Sequence, residues 1–585
     1  MAGKAERSMQ RILREADVDD QERFGESSDD FDDSDNDPDF EVFSEHDTNS
    51  EQEPESDEDV TPDDDEAAYF FGKNRCFRWR KKQPAANVRT RQHNIVLQHP
   101  GLRQTAQSLG ENPSALEVWN LFFTQDILDE IVLWTKLKIS QLRAQYANDR
   151  LSYLQDVDVI ELKALIGLLV YSAVFKSGHE SVYSLFATDG TGRDIFRCTV
   201  SKERFLFLLY SLRFDNPDDR EKRKEIDKAA AVSQIFLRII ENSQLCYSVG
   251  TTVCVDEMLV PFRGRCGFRM YMPNKPARYG VKIQCLTDVS TSYLYNAYIY
   301  SGKGSDGHTL SNHEKSHSVP TQAVLRLVKP IENTGRNVTG DNWYSSIELV
   351  NELSKKGLTY VGTLKRNKKE IPPQFLPNRK RRVKTSVYGF TEDMTLVSFV
   401  PKKAKAAILV SSLHHSENND PVSGKPEIIQ FYNTTKGGVD CLDQRCAGYS
   451  SSRRTRRWPL AIFYTLVDVA CGVNSYVVHQ AYPKAEVMTR MSFMKTLARD
   501  LVEPHMKRRL SIGHLPREVS GTIRRLLNIH DEPHTPKQFE NRRTCAFCPP
   551  HLKRKTRYPC QQCGVPICLG CSRKVCVKCM RGQSD

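Results

Sequence analysis

The spacing of apolar residues separates the chain into a helical part and a part rich in strands. From Pro113 to about Tyr247, apolar residues recur every three or four positions, as in "TQDILDEIVLWTKLKISQLRAQY" and "DVIELKALIGLLVYSAVF". This period predicts helices that bury one face or most of their surface. The longest apolar run, Leu162 to Phe175, is too short to span a bilayer, so we expect a core helix and no membrane contact.

At Thr252 the apolar pattern changes to alternation. The segments "TVCVDEMLVPF", "YGVKIQCLTDV" and "SYLYNAYIYSG" predict three strands with short connections. A helix, the short strand "RNVTG", a second helix and the strand "LTYVGTL" follow, and Ser345 with Glu348 predicts a capping box at the start of the second helix. This order of elements predicts an α/β core with a mixed sheet.

These patterns predict a multidomain α/β protein. Residues 365–428 break the rhythm of the core with basic loops and short strands such as "TLVSFV" and "AILVSS", and we interpret them as an insertion. The predicted parts in chain order are a disordered arm with a basic linker (1–94), a helical domain (95–251), the α/β core (252–364), the insertion domain (365–428), the last part of the core (429–449), the second part of the helical domain (450–530) and a cysteine-rich domain (541–581).

Charge is distributed unevenly along the chain. The net charge is +11, yet residues 17–66 carry 25 Asp and Glu against one Arg, so the rest of the chain is strongly basic. A basic body with an acidic arm favours a polyanion-binding protein, with nucleic acid as the partner and the arm as a competitor for the same surface. The alternative is a solubilising tail on an ordinary basic enzyme. Because the arm holds few core-forming residues, we expect it to be disordered.

The arm and the segment after it carry two weaker signals. Ser27, Ser34 and Ser44 each have an acidic residue three positions later, which suits an acidophilic kinase of the casein type but also arises by chance in acidic runs. The basic segment from Lys73 to Gln92 is predicted to be an irregular linker. It would serve as a nuclear address, as a strap along a phosphate backbone, or as a solvated spacer.

Carboxylates stand where this layout would bring them together. Asp256 lies within the first strand of the core, Asp341 follows the short fourth strand, and Asp440 and Asp443 lie three positions apart on a helix and so share a face. If that helix docks beside the sheet, Asp256, Asp341 and Asp440 share a pocket, which needs a compensating cation. Two Mg²⁺ ions about 4 Å apart would suit phosphodiester chemistry. The alternative is that these aspartates are surface caps at strand ends.

Five motifs resemble those of the piggyBac family of transposases, including its transposable element-derived, host-retained members. In chain order they are "VDEMLVPFRGR", "MPNKPARYGVK", "GDNWYSS", "TKGGVDCLDQ" and "RRTRRWP", and the resemblance covers roughly residues 95–580. It implies a ribonuclease-H-like catalytic core interrupted by an insertion domain, and a flanking helical domain for dimerisation and DNA binding. It also implies a homodimer.

The same resemblance implies an activity. The metal-binding acids of the family fall on Asp256, Asp341 and Asp440, with Asp443 as an accessory acid. The implied reaction is hairpin-mediated cut-and-paste movement of double-stranded DNA at TTAA targets, with terminal inverted repeats at the ends of the element. Two Mg²⁺ ions are the implied catalytic cofactors.

Basic clusters stand beside these acids. Lys365, Arg366, Lys368 and Lys369 follow the fifth strand of the core, and Arg453, Arg454, Arg456 and Arg457 follow the last acid. A solvated face is the usual role of a charge run, but the position beside a phosphodiester site favours contacts to the DNA backbone. Trp458 is either a core residue that anchors the next helix or, as the resemblance implies, an aromatic that stacks on or props an opened base.

The C-terminal tail carries the strongest local signal. Its eight cysteines form four C-x₂-C pairs, namely Cys545 with Cys548, Cys560 with Cys563, Cys568 with Cys571, and Cys576 with Cys579. This spacing is typical of Zn²⁺ ligands, and eight thiolates predict two structural Zn²⁺ ions. Disulfides are the alternative, but the N-terminus lacks the apolar core of a signal peptide, so we expect a reducing compartment.

The pairing of these cysteines stays open at this point. An interleaved arrangement, first pair with third and second with fourth, would be more compact than two consecutive knuckles, and it is the type that the resemblance implies. Residues 541–581 hold ten Lys and Arg and no acidic residue, which favours DNA as the partner of the tail. A ubiquitin-ligase or histone-reading module is the alternative.

Three histidines, His308, His313 and His317, lie close together in "GHTLSNHEKSH". A third metal site and a polar loop are both compatible with this spacing, and the polar loop is the more common outcome.

Together, these observations predict a nuclear, Mg²⁺-dependent, DNA-binding transposase with an intact acidic triad, or a host-retained descendant of one. The first alternative is a domesticated DNA-binding or chromatin factor without transposition activity. The second is a protein-interaction module built around the zinc tail.

Overall fold

The computed structural model describes residues 68–84, 96, 98–144, 152–513, 515–529, 538–560 and 564–572. These residues form two compact units that divide between Ser511 and Ile512. The acidic arm with its three candidate phosphorylation sites and the end of the basic linker lie outside the described residues. The expected disorder and the kinase sites therefore stay predictions.

The first part of the described chain is mainly helical, and most of the strands follow residue 247. The strands are β1 (Tyr69–Phe71), β2 (Arg78–Arg80), β3 (Gly101–Leu102), β4 (Tyr247–Ser248), β5 (Thr252–Pro261), β6 (Arg269–Tyr271), β7 (Tyr279–Asp288), β8 (Leu294–Ile299), β9 (Asn337–Gly340), β10 (Thr359–Thr363), β11 (Ser386–Phe390), β12 (Thr395–Phe399), β13 (Ala407–Ser411), β14 (Arg543–Thr544) and β15 (Lys555–Thr556). The α-helices are α1 (Gln104–Gln107), α2 (Ala115–Asn120), α3 (Gln125–Arg143), α4 (Val159–Val174), α5 (Val182–Leu185), α6 (Asp194–Thr199), α7 (Lys202–Ser211), α8 (Arg220–Ile226), α9 (Ala230–Cys246), α10 (Asn312–Lys315), α11 (Val319–Val328), α12 (Ile347–Lys355), α13 (Glu427–Thr435), α14 (Gly438–Gly448), α15 (Trp458–Val469), α16 (Ser475–Gln480), α17 (Arg490–Arg509) and α18 (Arg517–Leu526).

A mixed sheet of eleven strands organises the larger unit. Its order is β1-β2-β11-β12-β13-β10-β9-β5-β7-β6, with β8 paired to β7. β9 lies between β5 and β10 and is parallel to both, and the other pairs in the sheet are antiparallel. The three strands predicted from Thr252 onward are β5, β7 and β8, and the predicted mixed sheet is confirmed.

The segment interpreted as an insertion continues the same sheet. β13 pairs antiparallel with β10, and β12 and β11 follow in turn. Apolar residues of these strands, among them Tyr388, Val397 and Leu409, form a buried cluster with Ile428 and Tyr432 of α13. The strands predicted at "TLVSFV" and "AILVSS" are β12 and β13, and they share one core with the strands before them.

The prediction of an irregular basic linker from Lys73 to Gln92 is wrong at β2, Arg78–Arg80. β1 and β2 pair with each other, and Arg80 of β2 pairs with Phe390 at the end of β11, so this hairpin extends the sheet. Trp79 is fully buried, and its Nε1–H donates to the backbone oxygen of Glu370 over 2.8 Å. Trp79 is buried and its neighbours Arg78 and Arg80 are exposed, which is the alternation typical of a strand. The high charge of this segment led to the prediction of a linker instead.

The helical part of the larger unit packs around long buried helices. α4 lies against α17, and a Cβ at Gly167 would come within 2.7 Å of Val502 Cγ1, so glycine permits this close approach. α15, a π-turn (Ala470–Asn474) and α16 follow one another from Trp458 to Gln480. In the described chain this 23-residue stretch alone is long and apolar enough to cross a membrane, but 89% of its most apolar window is buried inside the protein, as in a core helix.

The sequence pattern missed this long apolar stretch because polar residues interrupt it, and two of these, Asp468 and Asn474, make hydrogen bonds to other parts of the larger unit. The carboxylate of Asp468 accepts hydrogen bonds from the backbone N–H of Ser451 and the hydroxyl of Ser450. The amide of Asn474 exchanges hydrogen bonds with the backbone of Leu294 in β8, at 3.0 and 2.9 Å. These contacts tie the helical part to the sheet.

The predicted capping box at Ser345 and Glu348 is wrong by one residue. Ser346 is the N-cap of α12, and its hydroxyl accepts a hydrogen bond from the backbone N–H of Leu349. Ser345 instead donates from its hydroxyl to the backbone oxygen of Asp341 over 2.8 Å. The two adjacent serines therefore have different roles. Ser345 stabilises the turn after β9, and Ser346 caps α12.

The smaller, C-terminal unit has little apolar core. It contains α18 and the short hairpin of β14 and β15. Among its described residues, Ile523 and Cys545 are the buried apolar side chains, whereas Phe547, Tyr558 and Leu569 are exposed. Hydrophobic burial therefore contributes little to its stability.

Candidate active site and cysteine cluster

Asp256 and Asp341 lie side by side on neighbouring strands. Asp256 is in β5, and Asp341 directly follows the last residue of β9. The two strands are parallel, and their register pairs Val255 with Gly340. The next position is Asp256 on one strand and Asp341 on the other, on the same face and about 4.8 Å apart in the hydrogen-bonding direction.

A glycine brings the third aspartate to this place. α14 begins at Gly438 and packs against β5 and β7. A Cβ at Gly438 would lie 2.7 Å from both Cys254 Cβ and Thr287 Oγ1, so only glycine lets the helix begin this close to the sheet. Cys254 and Asp256 share a face of β5 because side chains alternate along a strand. Asp440, in the first turn of α14, therefore lies over the face that carries Asp256.

A lysine and a glutamate that motif spacing did not single out lie among these acids. Nζ of Lys275 is 3.8 Å from Oε1 of Glu257 and 3.9 Å from Oδ1 of Asp440, and it donates a hydrogen bond to the backbone oxygen of Glu257. Glu257 is only 2% exposed. Lys275 thus connects an acid of the strand to an acid of the helix. Two features of the sequence could have pointed to these residues. Glu257 is an acidic residue inside an apolar strand, and Lys275 is the first lysine of "MPNKPARYGVK".

Burial and mutual repulsion raise the pKa values of the acids. Burial, together with the charges of Glu257 and Asp341, raises the pKa of Asp256. Burial also raises the pKa of Asp341 to about 6, with repulsion from Glu257 adding to it, although the backbone N–H of Trp343 donates to its Oδ1 over 2.9 Å. Burial raises the pKa of Asp443 as well. These shifts mean that burial, with repulsion between neighbouring acids, disfavours the charged form of the carboxyls.

This set of donors fits a hard divalent cation, because carboxylate oxygens are the ligands that Mg²⁺ prefers and a cation would remove the charge imbalance. The aspartates are not drawn together tightly. In the described chain, two groups of three or more Asp, Glu, His or Cys side chains bring their ligand atoms within 4.8 Å of one another, and the aspartates are not among them. Asp440 is 64% exposed and lies against Lys275. Its side chain would have to turn toward Asp256 and Asp341 to share an ion with them.

The first predicted basic cluster borders Asp341. Lys365 follows β10, the neighbour of β9, and its charge acts to lower the pKa of Asp341 against the larger effect of burial. Lys365, Arg366 and Lys368 are partly buried, and Lys369 is exposed. The hairpin of β1 and β2 supports this loop, since Nζ of Lys73 donates to the backbone oxygen of Arg366 over 3.1 Å.

The second basic cluster is divided by the structure. Arg453 is buried and donates to the backbone oxygens of Ser177 and Glu180. Burial lowers the pKa of Arg457 to about 9, and its guanidinium donates to backbone oxygens at the end of α7. The predicted DNA contacts of Arg453 and Arg457 therefore give way to structural roles, because both side chains are directed into the protein. Arg454 and Arg456 are exposed.

Trp458 stands at the first position of α15. Its ring packs edge-on against Phe268, with 5.0 Å between the ring centroids, and the residue is only partly buried. This contact joins the "RRTRRWP" motif to the segment that directly follows the "VDEMLVPFRGR" motif. The ring has both a core neighbour and an exposed part, so the anchoring and stacking roles are compatible with each other.

The cysteine-rich tail brings its first and third C-x₂-C pairs together. The sulfur atoms of Cys545, Cys548, Cys568 and Cys571 all lie within 4.8 Å of one another. Sγ of Cys548 is 3.5 Å from Sγ of Cys568 and from Sγ of Cys571. The backbone N–H of Cys568 donates to Sγ of Cys545 over 3.3 Å and lowers the pKa of that thiol. Four cysteines in this arrangement are compatible with a zinc ion.

The first C-x₂-C pair lies with the third, as the interleaved arrangement predicts for the first ion. Cys560 is described and lies outside this group of four. Cys563, Cys576 and Cys579 lie outside the described residues, so the second zinc site stays a prediction.

The comparisons with known proteins place the chain in the class of transposases. The family model described as Transposase IS4 matches residues 114–476. A cryo-EM structure of a piggyBac transposase synaptic complex with hairpin DNA is similar to this chain, with 34% identity, a TM-score of 0.71, and coverage of 82% of this chain and 100% of that chain. The chain belongs to the piggyBac transposase family.

Two human relatives carry the name of the same family. PiggyBac transposable element-derived protein 3 is 22% identical over 485 residues, which cover 78% of this chain and 75% of the relative. PiggyBac transposable element-derived protein 2 is 22% identical over 356 residues, which cover 58% of each chain.

Proposed function

We propose that the chain is a DDD-type DNA transposase, or a host-retained derivative of one, that cuts and joins phosphodiesters at TTAA-type sites in the nucleus. The observation that carries this proposal is the placement of the acids, with Asp256 and Asp341 at one level of two parallel strands and Asp440 on the helix that begins over them. The similar piggyBac transposase is in complex with hairpin DNA, which supports double-stranded DNA as the substrate.

Asp256, Asp341 and Asp440 would hold two Mg²⁺ ions, with Asp443 as an accessory acid on the next turn of α14. When bound, such a pair of ions polarises the phosphodiester, activates the attacking oxygen and stabilises the leaving oxygen. The surroundings of Asp341 determine the pH range in which it could bind a cation. Burial raises the pKa of Asp341 to about 6, so its carboxyl holds a proton below that pH and is free to bind a cation above it.

Basic side chains would hold the DNA backbone against the acids. The Lys365–Lys369 loop begins one strand away from Asp341, and Arg454 and Arg456 are the exposed members of the second cluster. Lys275 offsets part of the charge of Glu257 and Asp440 before DNA binds. The exposed part of Trp458 would stack on or prop an opened base during hairpin formation.

The reaction would proceed by hydrolysis at the end of the element, which frees a 3′-OH. That hydroxyl attacks the opposite strand and forms a hairpin, and after hairpin opening the 3′-OH attacks target DNA. Each hydrolysis breaks one phosphodiester bond with water and leaves a 3′-OH and a 5′-phosphate. Each attack by a 3′-OH forms one phosphodiester bond as it breaks another and releases a new 3′-OH. The helical part would provide the interface of a homodimer that holds two ends.

The cysteine-rich tail would hold two Zn²⁺ ions and bind the inverted repeats. Cys545, Cys548, Cys568 and Cys571 would bind the first ion, and the remaining cysteines, Cys560, Cys563, Cys576 and Cys579, would bind the second. The excess of Lys and Arg over acidic residues in this tail supports DNA as its partner.

The test is a plasmid excision assay with candidate inverted repeats flanked by TTAA. We expect cleavage that requires Mg²⁺ and all three acids, so that Asp341→Asn abolishes strand cleavage and retains DNA binding and folding. Asp129→Asn, at an exposed carboxylate of α3, is the control and should leave cleavage unchanged. Full nicking by Asp341→Asn in Mg²⁺ would remove Asp341 from the site.

A domesticated DNA-binding or chromatin factor without transposition activity is the second candidate. The observation in its favour is the similarity to two human proteins named as transposable element-derived. In the same assay, binding of the repeats without cleavage by the wild-type chain selects this candidate over the enzyme.

A further inference from the structure

The geometry points to a second metal site in the larger unit, a zinc site formed by His313, His317 and Glu352. One ligand atom from each of these residues lies within 4.8 Å of the others. His313 belongs to α10, His317 follows that helix, and Glu352 is on α12. The site is separate from the aspartates at the strand ends and from the cysteine cluster.

The orientation of His317 is that of a metal ligand. Its Nδ1 lies 2.7 Å from Oε1 of Glu348, while its Nε2 is buried and has no hydrogen-bond partner among the described residues. The His317 side chain is 10% exposed. With the proton on Nδ1 donated to Glu348, the lone pair of Nε2 is directed toward Glu352, whose Oε2 lies 3.8 Å away. Carboxylate, histidine and an open ring nitrogen in this order are the usual arrangement behind a bound zinc ion.

The loop that carries the histidines is held in place before any ion binds. Ser311 and Glu314 form a capping box at the start of α10. The carboxylate of Glu314 also accepts a hydrogen bond from Nζ of Lys356, at the end of α12, over 2.8 Å. Nε2 of Gln322 donates to the backbone oxygen of His317 over 2.7 Å. This support fixes His317, so closing the site requires mainly a rotation of the exposed His313.

The donor set selects the type of ion. Two imidazoles and one carboxylate suit Zn²⁺, whereas Mg²⁺ prefers oxygen ligands alone. Ligands of a tetrahedral zinc ion stand about 3.3 Å apart, as follows from bonds of about 2.0–2.1 Å, so a modest contraction from the present spacing is enough. Because His313 is exposed, the fourth position is open to water.

Lys355 is the competitor of the ion. Its Nζ lies 2.6 Å from Oε1 of Glu352, and its side chain is 66% exposed, so it can turn into solvent when a cation arrives. If the cluster were only a network of ion pairs, Lys355 would be its cation and zinc would not bind.

The decisive experiment measures the zinc content of the full-length chain by mass spectrometry after dialysis against a trace of Zn²⁺. We expect His313→Ala and His317→Ala to lose one zinc per chain relative to the wild type. His308→Ala, at an exposed histidine of the same loop that is outside the cluster, should keep it. His313 is exposed, so its removal leaves the fold intact, and wild-type zinc content in His313→Ala would overturn the proposal.

A second experiment separates the ligands from the residue that orients them. Glu348→Gln should weaken zinc binding at this site about tenfold to a hundredfold in competition with a chelating dye, as expected for a partner behind a ligand. Glu225→Gln, at an exposed position of α8, is the matched control. The difference between the Co²⁺ spectra of the wild type and of His313→Ala should contain visible bands without thiolate charge transfer, because the cysteine cluster contributes equally to both. Unchanged affinity in Glu348→Gln together with unchanged cobalt bands in His313→Ala would contradict the site.

Discussion

The acidic site and the cysteine cluster are organised in opposite ways. Asp256, Asp341 and Asp440 lie far apart in sequence, and strand register and a docked helix place them at the same end of the sheet. The cysteines of the cluster lie within 27 residues of one another, in a unit that buries few apolar side chains. The first site depends on long-range packing, whereas the second depends on cysteines that are close in sequence and lies in a unit with few buried apolar side chains.

This difference has an energetic meaning. The buried core fixes the positions of the acids. The raised pKa of Asp341 means that burial of its charged carboxylate lowers the stability of the fold when no cation is bound. The cysteine cluster has no such support, so its metal would provide the stability that the apolar core lacks. The two regions should therefore respond differently to loss of metal and to changes in packing.

Removal of zinc should have the largest effect. Structural zinc contributes about 10–16 kcal/mol in small domains, so Cys548→Ser should unfold the described part of the C-terminal unit and leave the larger unit folded. Hydrogen exchange followed by mass spectrometry should show lost protection near β14 and β15 and unchanged protection in β5 and β7. Cys76→Ser, at an exposed cysteine outside the cluster, is the control. Retained protection in Cys548→Ser would show that the tail folds without its metal.

Crowding at the start of α14, beside the acidic site, should have the next largest effect. Gly438→Ala places a Cβ within 2.7 Å of Cys254 and Thr287, so we expect a loss of about 1–3 kcal/mol in the free energy of unfolding of the larger unit. Gly437→Ala is a matched control, because a Cβ there meets nothing within 4 Å. Denaturant unfolding measures both. Equal stability of the two variants would mean that α14 is not seated against the sheet.

A charge-neutral change at Asp341 should stabilise the protein while it removes function. Its pKa is raised to about 6 from an ordinary value of 3.8, so the folded protein binds more protons than the unfolded chain between these pH values. Stability therefore falls as the pH rises from about 4 to 6, and the loss remains at higher pH. Asp341→Asn lacks this loss, and we expect it to be more stable by about 1–2 kcal/mol at pH 7.5 without Mg²⁺.

Thermal unfolding of the zinc-loaded protein across this pH range measures the effect. Mg²⁺ should stabilise the wild type more at pH 7.5 than at pH 5, and should have little effect on Asp341→Asn. A wild-type chain whose stability does not change between pH 4 and 6 would contradict the raised pKa.

The smallest effect should come from the exposed arginines. Arg454→Gln and Arg456→Gln should each reduce the salt dependence of DNA binding by about one unit of slope and leave the fold unchanged. Arg453→Gln should instead lower the free energy of unfolding, because its guanidinium bonds to the backbone oxygens of Ser177 and Glu180. Binding titrations at several salt concentrations separate the two outcomes. A slope change in Arg453→Gln without loss of stability would reverse the assignment.

Much of the fold could be predicted because its signals are local. Alternation after Thr252 predicts β5, β7 and β8, and the C-x₂-C spacing predicts the cysteine cluster. The roles of Glu257 and Lys275 could not be predicted from spacing, since they depend on which strand pairs with which and on where a loop between β6 and β7 returns. Family motifs pointed to the aspartates, but only strand register explains why Asp256 and Asp341 are neighbours.

Two of the differences between sequence and structure have a common cause. In β2 the charges of Arg78 and Arg80 concealed a buried tryptophan between them, and in the "RRTRR" run the charges concealed that Arg453 and Arg457 are directed inward. A run of charges describes composition, whereas the direction of each side chain depends on backbone geometry that composition does not contain. The same limit applies to His313 and His317. Their proximity to Glu352 depends on how α10 packs near α12, which the sequence spacing does not show.

The hairpin of β1 and β2 also determines where the acidic segment is attached. Residues 17–66 are joined to the chain just before β1, and Lys73 and Asn74 of this hairpin contact the loop that carries Lys365 to Lys369. A covalent tether at this point gives the segment a high effective concentration at a surface proposed to hold phosphates. If the segment is the competitor that its charge predicts, incoming DNA would have to displace it from this surface.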